Sequence, residues 1–279
     1  MAICMNKVVL ITGSSSGIGL ATSIFLARKN YLVYASMRNL KRSKELKKII
    51  RDENLPIIIL KIDVTKQNTI NQAIKKIMKS SGKVDVLINN AGFGLFGCIE
   101  DLSINEIKQQ YETNVFGQLR MINSVLPIMR RQKSGYIVNI SSIGGRVSYP
   151  ISGVYNSTKF ALEGLTEALK IEVKKFGIKV ILIEPDIVRT NFAKSLKFGK
   201  KVNGESPYKS VYEEYIPYYS SSELIGINPE EVAKTIYRAI NSKNPKFRYI
   251  VGSDALKIAF LRNIFPDRFI EFLIEHKII

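Results

Sequence analysis

The order of strand, glycine-rich turn and helix near the N-terminus narrows the fold more than any other feature of this chain. Val8-Val9-Leu10-Ile11 is short, apolar and mostly β-branched, as suits a buried strand. It runs straight into Thr12-Gly13-Ser14-Ser15-Ser16-Gly17-Ile18-Gly19, and residues 18–28 then carry a helical pattern. Glycine is needed in such a turn where backbone comes close to a phosphate and where helix meets strand. The helix that follows turns free N–H groups and a positive dipole end towards the turn, which favours an anion.

The same rhythm continues down the chain. Further strands are predicted over residues 31–36, 57–60, 84–88, 136–140, 179–183 and 247–251. Helices are predicted over 41–51, 67–78, 104–130 with an interruption at Pro127, 153–176, and 229–241 with Pro229 in the first turn. The strand runs are continuously apolar rather than alternating, as in strands covered on both faces. Strands alternating with helices imply a parallel sheet with right-handed crossovers. With 279 residues, of which 46% are hydrophobic, the chain suits one α/β domain with a sizeable core.

Two regions break the rhythm. Residues 186–227 are rich in Ser, Lys and Tyr and include Pro207 and Pro217. So long an irregular stretch suits a substrate lid, or else a surface insertion. Residues 254–279 form a tail that Pro266 splits into two amphipathic pieces. The tail is expected to pack over the substrate side or a subunit interface, with membrane-surface contact as an alternative.

Acid–base chemistry is suggested by Tyr155 and Lys159 in Val154-Tyr155-Asn156-Ser157-Thr158-Lys159. Helical spacing of four puts both side chains on one face, and a nearby ammonium should lower the phenol's pKa. The pair follows Ile140-Ser141-Ser142-Ile143-Gly144-Gly145, just after a predicted strand. A serine there could hold a substrate oxygen by hydrogen bonding.

Taken with Asp63-Val64-Thr65, Asn89-Asn90-Ala91-Gly92 and Asn114, these motifs resemble those of the short-chain dehydrogenase/reductase family, in that family's order. The segments Val33-Tyr34-Ala35-Ser36-Met37-Arg38 and Lys159-Phe160-Ala161-Leu162-Glu163-Gly164 look most like the 17β-hydroxysteroid and retinol dehydrogenase type. The resemblance implies a three-layer, Rossmann-like doubly wound sheet in a single domain spanning residues 1–279. It implies a catalytic group of Asn114, Ser142, Tyr155 and Lys159. Tyr155 would be the proton donor and acceptor, and Lys159 would also hold the nicotinamide ribose. Asn114 would hold a water leading to the lysine.

The resemblance also implies the cofactor contacts. Gly13, Ser15, Ser16, Gly17, Ile18 and Gly19 would face the pyrophosphate. Asp63 and Val64 would hold the adenine, and Asn89, Ala91 and Gly92 would lie beside the cofactor. Pro185, Ile187, Val188 and Thr190 would meet the nicotinamide. Asp186 stands where the family usually has glycine, a substitution that asks Asp to take the αL conformation. At the end of the second strand Met37 stands where an acidic residue would bind the ribose of NAD, and no carboxylate occurs in residues 33–44. Arg38, helped by Lys41 or Arg42, can pair with a 2′-phosphate, which favours NADP(H) over NAD(H).

Composition excludes several other chemistries. The only histidine is His276, which argues against a histidine-based triad and a His-rich metal site, and no metal is expected. Cys4 and Cys98 cannot make a disulfide framework, so a reducing cytoplasm is expected; no signal peptide or membrane-length apolar run is recognisable. The net charge of +18 could attract nucleic acid, but basic and aromatic residues do not interleave as a stacking platform requires. A lysine-biased surface is the expected reading.

The substrate implied is a medium to large apolar alcohol or ketone. Phe93, Leu95, Phe96, Val147, Tyr149, Ile151, Phe192 and Tyr208 are the candidate lining residues. A homodimer or homotetramer is implied by the family's pairing of long helices, with Leu162, Leu165, Leu169 and Val173 as an apolar stripe. The alternative to an oxidoreductase is a non-catalytic NADP(H)-binding sensor or scaffold of the same fold.

Overall fold

The computed structural model describes residues 7–190, 196–199, 206–220, 226–276 and 278. Its strands are β1 (Val8–Ile11), β2 (Leu32–Met37), β3 (Ile57–Lys61), β4 (Val86–Asn89), β5 (Leu95–Phe96), β6 (Gly135–Ile140), β7 (Ile178–Pro185), β8 (Lys197–Phe198) and β9 (Arg248–Val251). Seven of them form one sheet in the order β3-β2-β1-β4-β6-β7-β9, with every pairing parallel. The short β5 and β8 pair apart from it. This is the doubly wound α/β architecture that the strand–helix rhythm predicts.

Period-2 alternation decides which helices each strand meets. Val9 and Ile11 of β1 pack on one face against Leu20 and Leu26 of α1 (Gly17–Arg28). Leu46 of α2 (Lys44–Glu53), and Val232 and Ile236 of the helix Pro229–Asn241, complete that face. Val8 and Leu10 point the other way. They meet Ile70 and Ile77 of α3 (Gln67–Ser81), and Met121 and Val125 of α5 (Gly117–Gln132). Both faces of the sheet are therefore dry, and each fully buried Val, Ile or Leu is worth about 1.5–3 kcal/mol. A crevice opens between β1 and β4, where the strand order reverses.

The long helix predicted over 104–130 is divided, but not at Pro127. It comprises α4 (Ile104–Tyr111), a π turn over Glu112–Phe116, and α5, with Pro127 inside α5. Ser103 starts α4 with a capping box, trading bonds with Glu106. The helix α6 (Gly153–Val173) carries Tyr155 and Lys159. The stretch 186–227 is less irregular than its composition predicts. Its described residues include β8 and α7 (Lys209–Ser220), a helix that tolerates Pro217. After α8 (Pro229–Asn241) and β9, the tail forms α9 (Ser253–Ile264) and α10 (Asp267–Glu275), on either side of Pro266. No helix among the described residues is long and apolar enough to cross a membrane.

Candidate active site

The glycine turn is held from behind by Asn90. Its Nδ2 donates to the carbonyls of Thr12 and Gly13 at 2.9 and 3.1 Å. Thr12 Oγ1 in turn accepts the N–H groups of Asn90 and Ala91, each at 3.0 Å. This clamp explains the glycines. Gly13 has φ +71°, and a Cβ there would lie 2.9 Å from Ala91 Cα; a Cβ on Gly19 would strike the Gly13 carbonyl oxygen and Asn90. At the start of α1, Ser16 makes no capping bond and the first turn carries no acidic side chain. The turn thus leaves bare backbone and an uncapped helix N-terminus, a cradle that fits a pyrophosphate. Thr190 lies against Gly17, closing the other side of the turn. Ser15 and Ser16 reach the surface, whereas Ser14 is buried and bonds the Ile11 carbonyl.

Next to this cradle, Arg38 is exposed and makes no ion pair among the described residues. Met37 is 2% exposed and belongs to the core, so its position offers no side chain to a ligand. Asp63 Oδ1 bonds the N–H and hydroxyl of Thr65 at 3.0 and 2.7 Å, forming the turn that leads into α3. Val64 is buried against Gly117. Asn89, expected beside the cofactor, has a structural bonding role as well. It is fully buried and donates to Asn139, which donates to Thr166, tying β4 and β6 to α6. Past the end of β4, Ala91 packs half-buried at the edge of the core and Gly92 is exposed.

Tyr155, Ser142 and Lys159 come together at the carboxyl end of β6. Tyr155 is partly exposed as a residue, but its phenolic oxygen lies deep and is hydrogen-bonded to Ser142. Burial pushes the phenol up to about 12, and the Ser142 bond only partly opposes this. That corrects the expectation that Lys159 lowers it. Lys159 Nζ donates to the Ile140 carbonyl at 2.8 Å and sits 5.6 Å from the centre of the Tyr155 ring. Burial pushes the Lys159 ammonium down to about 8, with Glu163 pulling the other way. Desolvation is the largest influence on both groups. Asn114 lies in the π turn. Its amide donates to the Phe93 carbonyl and to Thr158, and its oxygen accepts the Phe93 N–H.

The turn after β7 shows why aspartate fits where glycine is usual. Asp186 is not in the αL region at all. Its Oδ1 accepts the Ile187 N–H at 2.8 Å, and its Oδ2 accepts the N–H of Ala255, at the start of α9, at 3.0 Å. Burial nevertheless raises the carboxyl's pKa. Val188 bridges to Ile227, so Pro185, Ile187, Val188 and Thr190 run along a braced segment that ends beside Gly17.

Comparison with known proteins decides what this arrangement belongs to. The short chain dehydrogenase profile matches residues 7–201. The chain belongs to the short-chain dehydrogenase family. It is 36% identical over 246 residues to a 3-ketodihydrosphingosine reductase of Bacteroides thetaiotaomicron, covering 88% of each chain. It is 35% identical over 271 residues to estradiol 17-beta-dehydrogenase 1 of Rattus norvegicus, covering 94% of this chain and 78% of the relative. The crystal structure of a short-chain dehydrogenase from Streptomyces avermitilis superposes with a TM-score of 0.83 at 32% identity, covering 98% of this chain and 96% of that one.

In this short-chain dehydrogenase, α7 forms an aromatic wall beside Tyr155. Phe96, Ile151 and Tyr212 make a buried cluster joined by Tyr155, Tyr208 and Tyr219. The Phe96 ring lies 6.0 Å from Tyr155 and 4.6 Å from Tyr219. Ile151 adopts φ +55°, unusual for a β-branched residue, at the entry to α6. Buried Asp101 fastens α7 from below, accepting the hydroxyls of Tyr212 and Ser206 at 2.6 Å each. A groove of about 690 Å³ runs along Ile151, Pro150, Tyr208, Val211 and Tyr215. A larger cavity of about 980 Å³ lies at Asp101–Gln109, and neither lining includes Ser142 or Tyr155. The first groove borders the Tyr155 cluster and is the better candidate for substrate.

The expected lining residues divide accordingly. Phe96, Ile151 and Tyr208 join Tyr155; Phe93 and Leu95 pack with Leu102 and Val154; Val147 and Tyr149 lie under α9 and α10; Phe192 lies outside the described residues. Sequence reasoning overlooked the Asn90 clamp, the Asp101 anchor and Glu163. For Glu163 a signal was present, since it continues the i, i+4 series Tyr155, Lys159.

Proposed function

We propose that this short-chain dehydrogenase interconverts a carbonyl and an alcohol on a medium to large apolar substrate, using NADP(H), with Tyr155 as proton donor and acceptor. The observation that carries this reading is the buried phenol of Tyr155, hydrogen-bonded to Ser142 beside an aromatic wall. When bound, a nicotinamide dinucleotide supplies or takes up the hydride. Gly13, Ser15, Ser16, Gly17, Ile18 and Gly19 would cradle its phosphates. Asp63, Val64, Ala91, Gly92, Pro185, Ile187, Val188 and Thr190 would flank it, and Arg38 would take a 2′-phosphate.

The chain's own task is one proton and one orientation. Ser142 holds the substrate oxygen, and Tyr155 delivers its proton as that oxygen gains charge. A phenol raised by burial is still far more acidic than water, whose pKa is about 16, so it can protonate a forming alkoxide. Lys159 supplies positive charge along the same face, and Asn114 ties the backbone at Phe93 to Thr158, the neighbour of Lys159. The two relatives are named for 3-ketodihydrosphingosine and for estradiol, which supports a ketone or alcohol substrate for the groove beside Ile151.

We also infer a homodimer or homotetramer. Phe116, Phe160 and Leu165 are large apolar side chains exposed at 47%, 44% and 40%. The deciding experiment for function is a panel of long-chain, steroidal and other apolar ketones, incubated with NADPH and with NADH and followed by loss of reduced cofactor. Turnover of a ketone supports the reading. Cofactor binding without turnover of any ketone or alcohol would favour a nucleotide-binding scaffold instead.

A further inference from the structure

Glu163 has no part in the reaction as proposed, yet it is 8% exposed and sits one helical turn beyond Lys159. Tyr155, Lys159, Glu163 and Glu167 follow one another at intervals of four along α6 and so share a face. Behind that face lies a compact ionic cluster. Glu163 Oε2 meets Arg248 Nε of β9 at 3.2 Å, and the same nitrogen meets Glu184 Oε1 of β7 at 3.2 Å. Arg248 also reaches Glu167 at 3.6 Å. Glu184, fully buried, takes a two-pronged contact from Arg146 at 2.6 and 3.2 Å. Ser141, at the end of β6, completes the surroundings. A Cβ on Gly145 would lie 2.9 Å from Ser141 Oγ and 3.1 Å from Glu163 Cγ, so both side chains press on the same spot.

Three carboxylates (Glu163, Glu167, Glu184) thus face three cations (Lys159, Arg146, Arg248), with the two guanidiniums permanently charged. The balance matters most at its inner end, where Lys159, Glu163 and Glu184 are buried while Glu167 faces solvent. Remove the charge of Glu163 and the cluster carries a surplus positive charge next to the only cation in it that can shed a proton. We propose that Glu163 is a positioning residue that keeps Lys159 in its ammonium form and is itself kept ionised by Arg248 and the Ser141 hydroxyl. It acts on Tyr155 only through Lys159.

For Lys159 the direction matches this role, whereas for Glu163 burial and Arg248 pull in opposite directions. Burial lowers the Lys159 pKa to about 8, and the Glu163 charge is the influence that raises it. Glu163 is itself raised by burial first and by Glu184 second, with Ser141 and Arg248 opposing both. Arg248 and Ser141 are thus the influences that favour the charged form of Glu163, the form that acts on Lys159.

The proposal rests on the functional reading above, so its test is read first on the protein alone. Lysine and glutamate side chains labelled with carbon-13 are followed by NMR from neutral to alkaline pH, in the native chain and in Glu163→Gln. In the native chain the Glu163 carboxyl must ionise well below the Lys159 midpoint; a Glu163 still neutral where Lys159 titrates would overturn the proposal without any variant. In Glu163→Gln the Lys159 midpoint should fall by about one unit. An unchanged midpoint in the folded variant would equally overturn it. On a ketone that the native enzyme reduces, the alkaline limb of kcat/KM should move down with that midpoint. The loss is expected to be about fivefold at pH 8 and slight at pH 6. If no ketone is reduced by the native enzyme, the functional reading falls, while the titration still decides the link between Glu163 and Lys159.

Discussion

The Asp186 carboxylate accepts the backbone N–H of Ala255 at 3.0 Å, and so caps a helix that begins 67 residues further along the chain. The N-cap of α9 is Gly252, which has no side chain to offer, and its open position leaves room for Asp186. Replacing Asp186 by Ala should cost about 1 kcal/mol of stability, the usual loss for a missing cap. Hydrogen exchange of the amides in residues 253–264 should quicken. Asp186→Asn, which keeps one acceptor oxygen, should lose less. Unchanged exchange in Asp186→Ala would mean that α9 is held by its apolar contacts alone.

Lys159 should weaken the fold that it serves. Its pKa is about 8 in the folded chain against 10.5 as its ordinary value. Between those values the unfolded chain binds more protons, so this group's contribution to stability is lowest below pH 8 and rises towards pH 10.5. The full span corresponds to about 3 kcal/mol. Lys159→Met should therefore be more stable than the native chain at pH 7 by about 1–3 kcal/mol, allowing for the lost bond to Ile140. The advantage should shrink by pH 10. Urea unfolding at both pH values measures this; an advantage that did not shrink would show that the ammonium is not desolvated.

Tyr155→Phe removes one oxygen and the bond to Ser142. Turnover should fall about 10²–10⁴-fold, the range for loss of a general acid, while NADPH affinity changes little. Lys159→Ala should damage both turnover and cofactor affinity. Near-native activity in Tyr155→Phe would remove it from the mechanism.

Arg38 should decide between cofactors. In Arg38→Ala, NADPH binding measured by fluorescence titration should weaken about tenfold, with NADH little affected, because only NADPH loses a charge-assisted bond. Equal losses for both cofactors would mean that Arg38 does not read the 2′-phosphate.

Light scattering at micromolar concentration should show a dimer or tetramer. Phe160→Glu combined with Leu165→Glu should shift it towards monomer, since both side chains are exposed on α6. A native chain that is monomeric would remove the oligomer from the proposal.

The first strand and its turn were legible because Val8–Ile11 and the glycines of residues 13–19 signal their roles within a dozen residues. The same holds for Tyr155 and Lys159, whose relationship is a helical turn. The protonation of that pair was not legible, because it depends on burial created by β6 and α7 rather than on spacing. Asp186 looked like a faulty glycine because its partner Ala255 is 69 positions away. The stripe Leu162, Leu165, Leu169 and Val173 was ambiguous for a different reason. Leu162, Leu169 and Val173 pack into the core and Leu165 is exposed, and core-facing and partner-facing stripes share one period. The helix α7 was hidden by Pro217 and by tyrosines that serve a wall as readily as a loop.

The π turn at Glu112–Phe116 lets this face of the molecule differ without disturbing the core. It holds one residue more than an α-helical turn would, and Asn114 uses that widened turn to reach both Phe93 and Thr158. Because the extra residue is absorbed within the turn, α5 beyond it keeps its phase, and Met121, Val125 and Met129 stay beneath the sheet. Deleting that residue would close the helix into regular α form and leave the core in place, but it would take away the reach of Asn114. In this chain the core and the Asn114 contacts are therefore separable: one can be altered by a residue's length without the other.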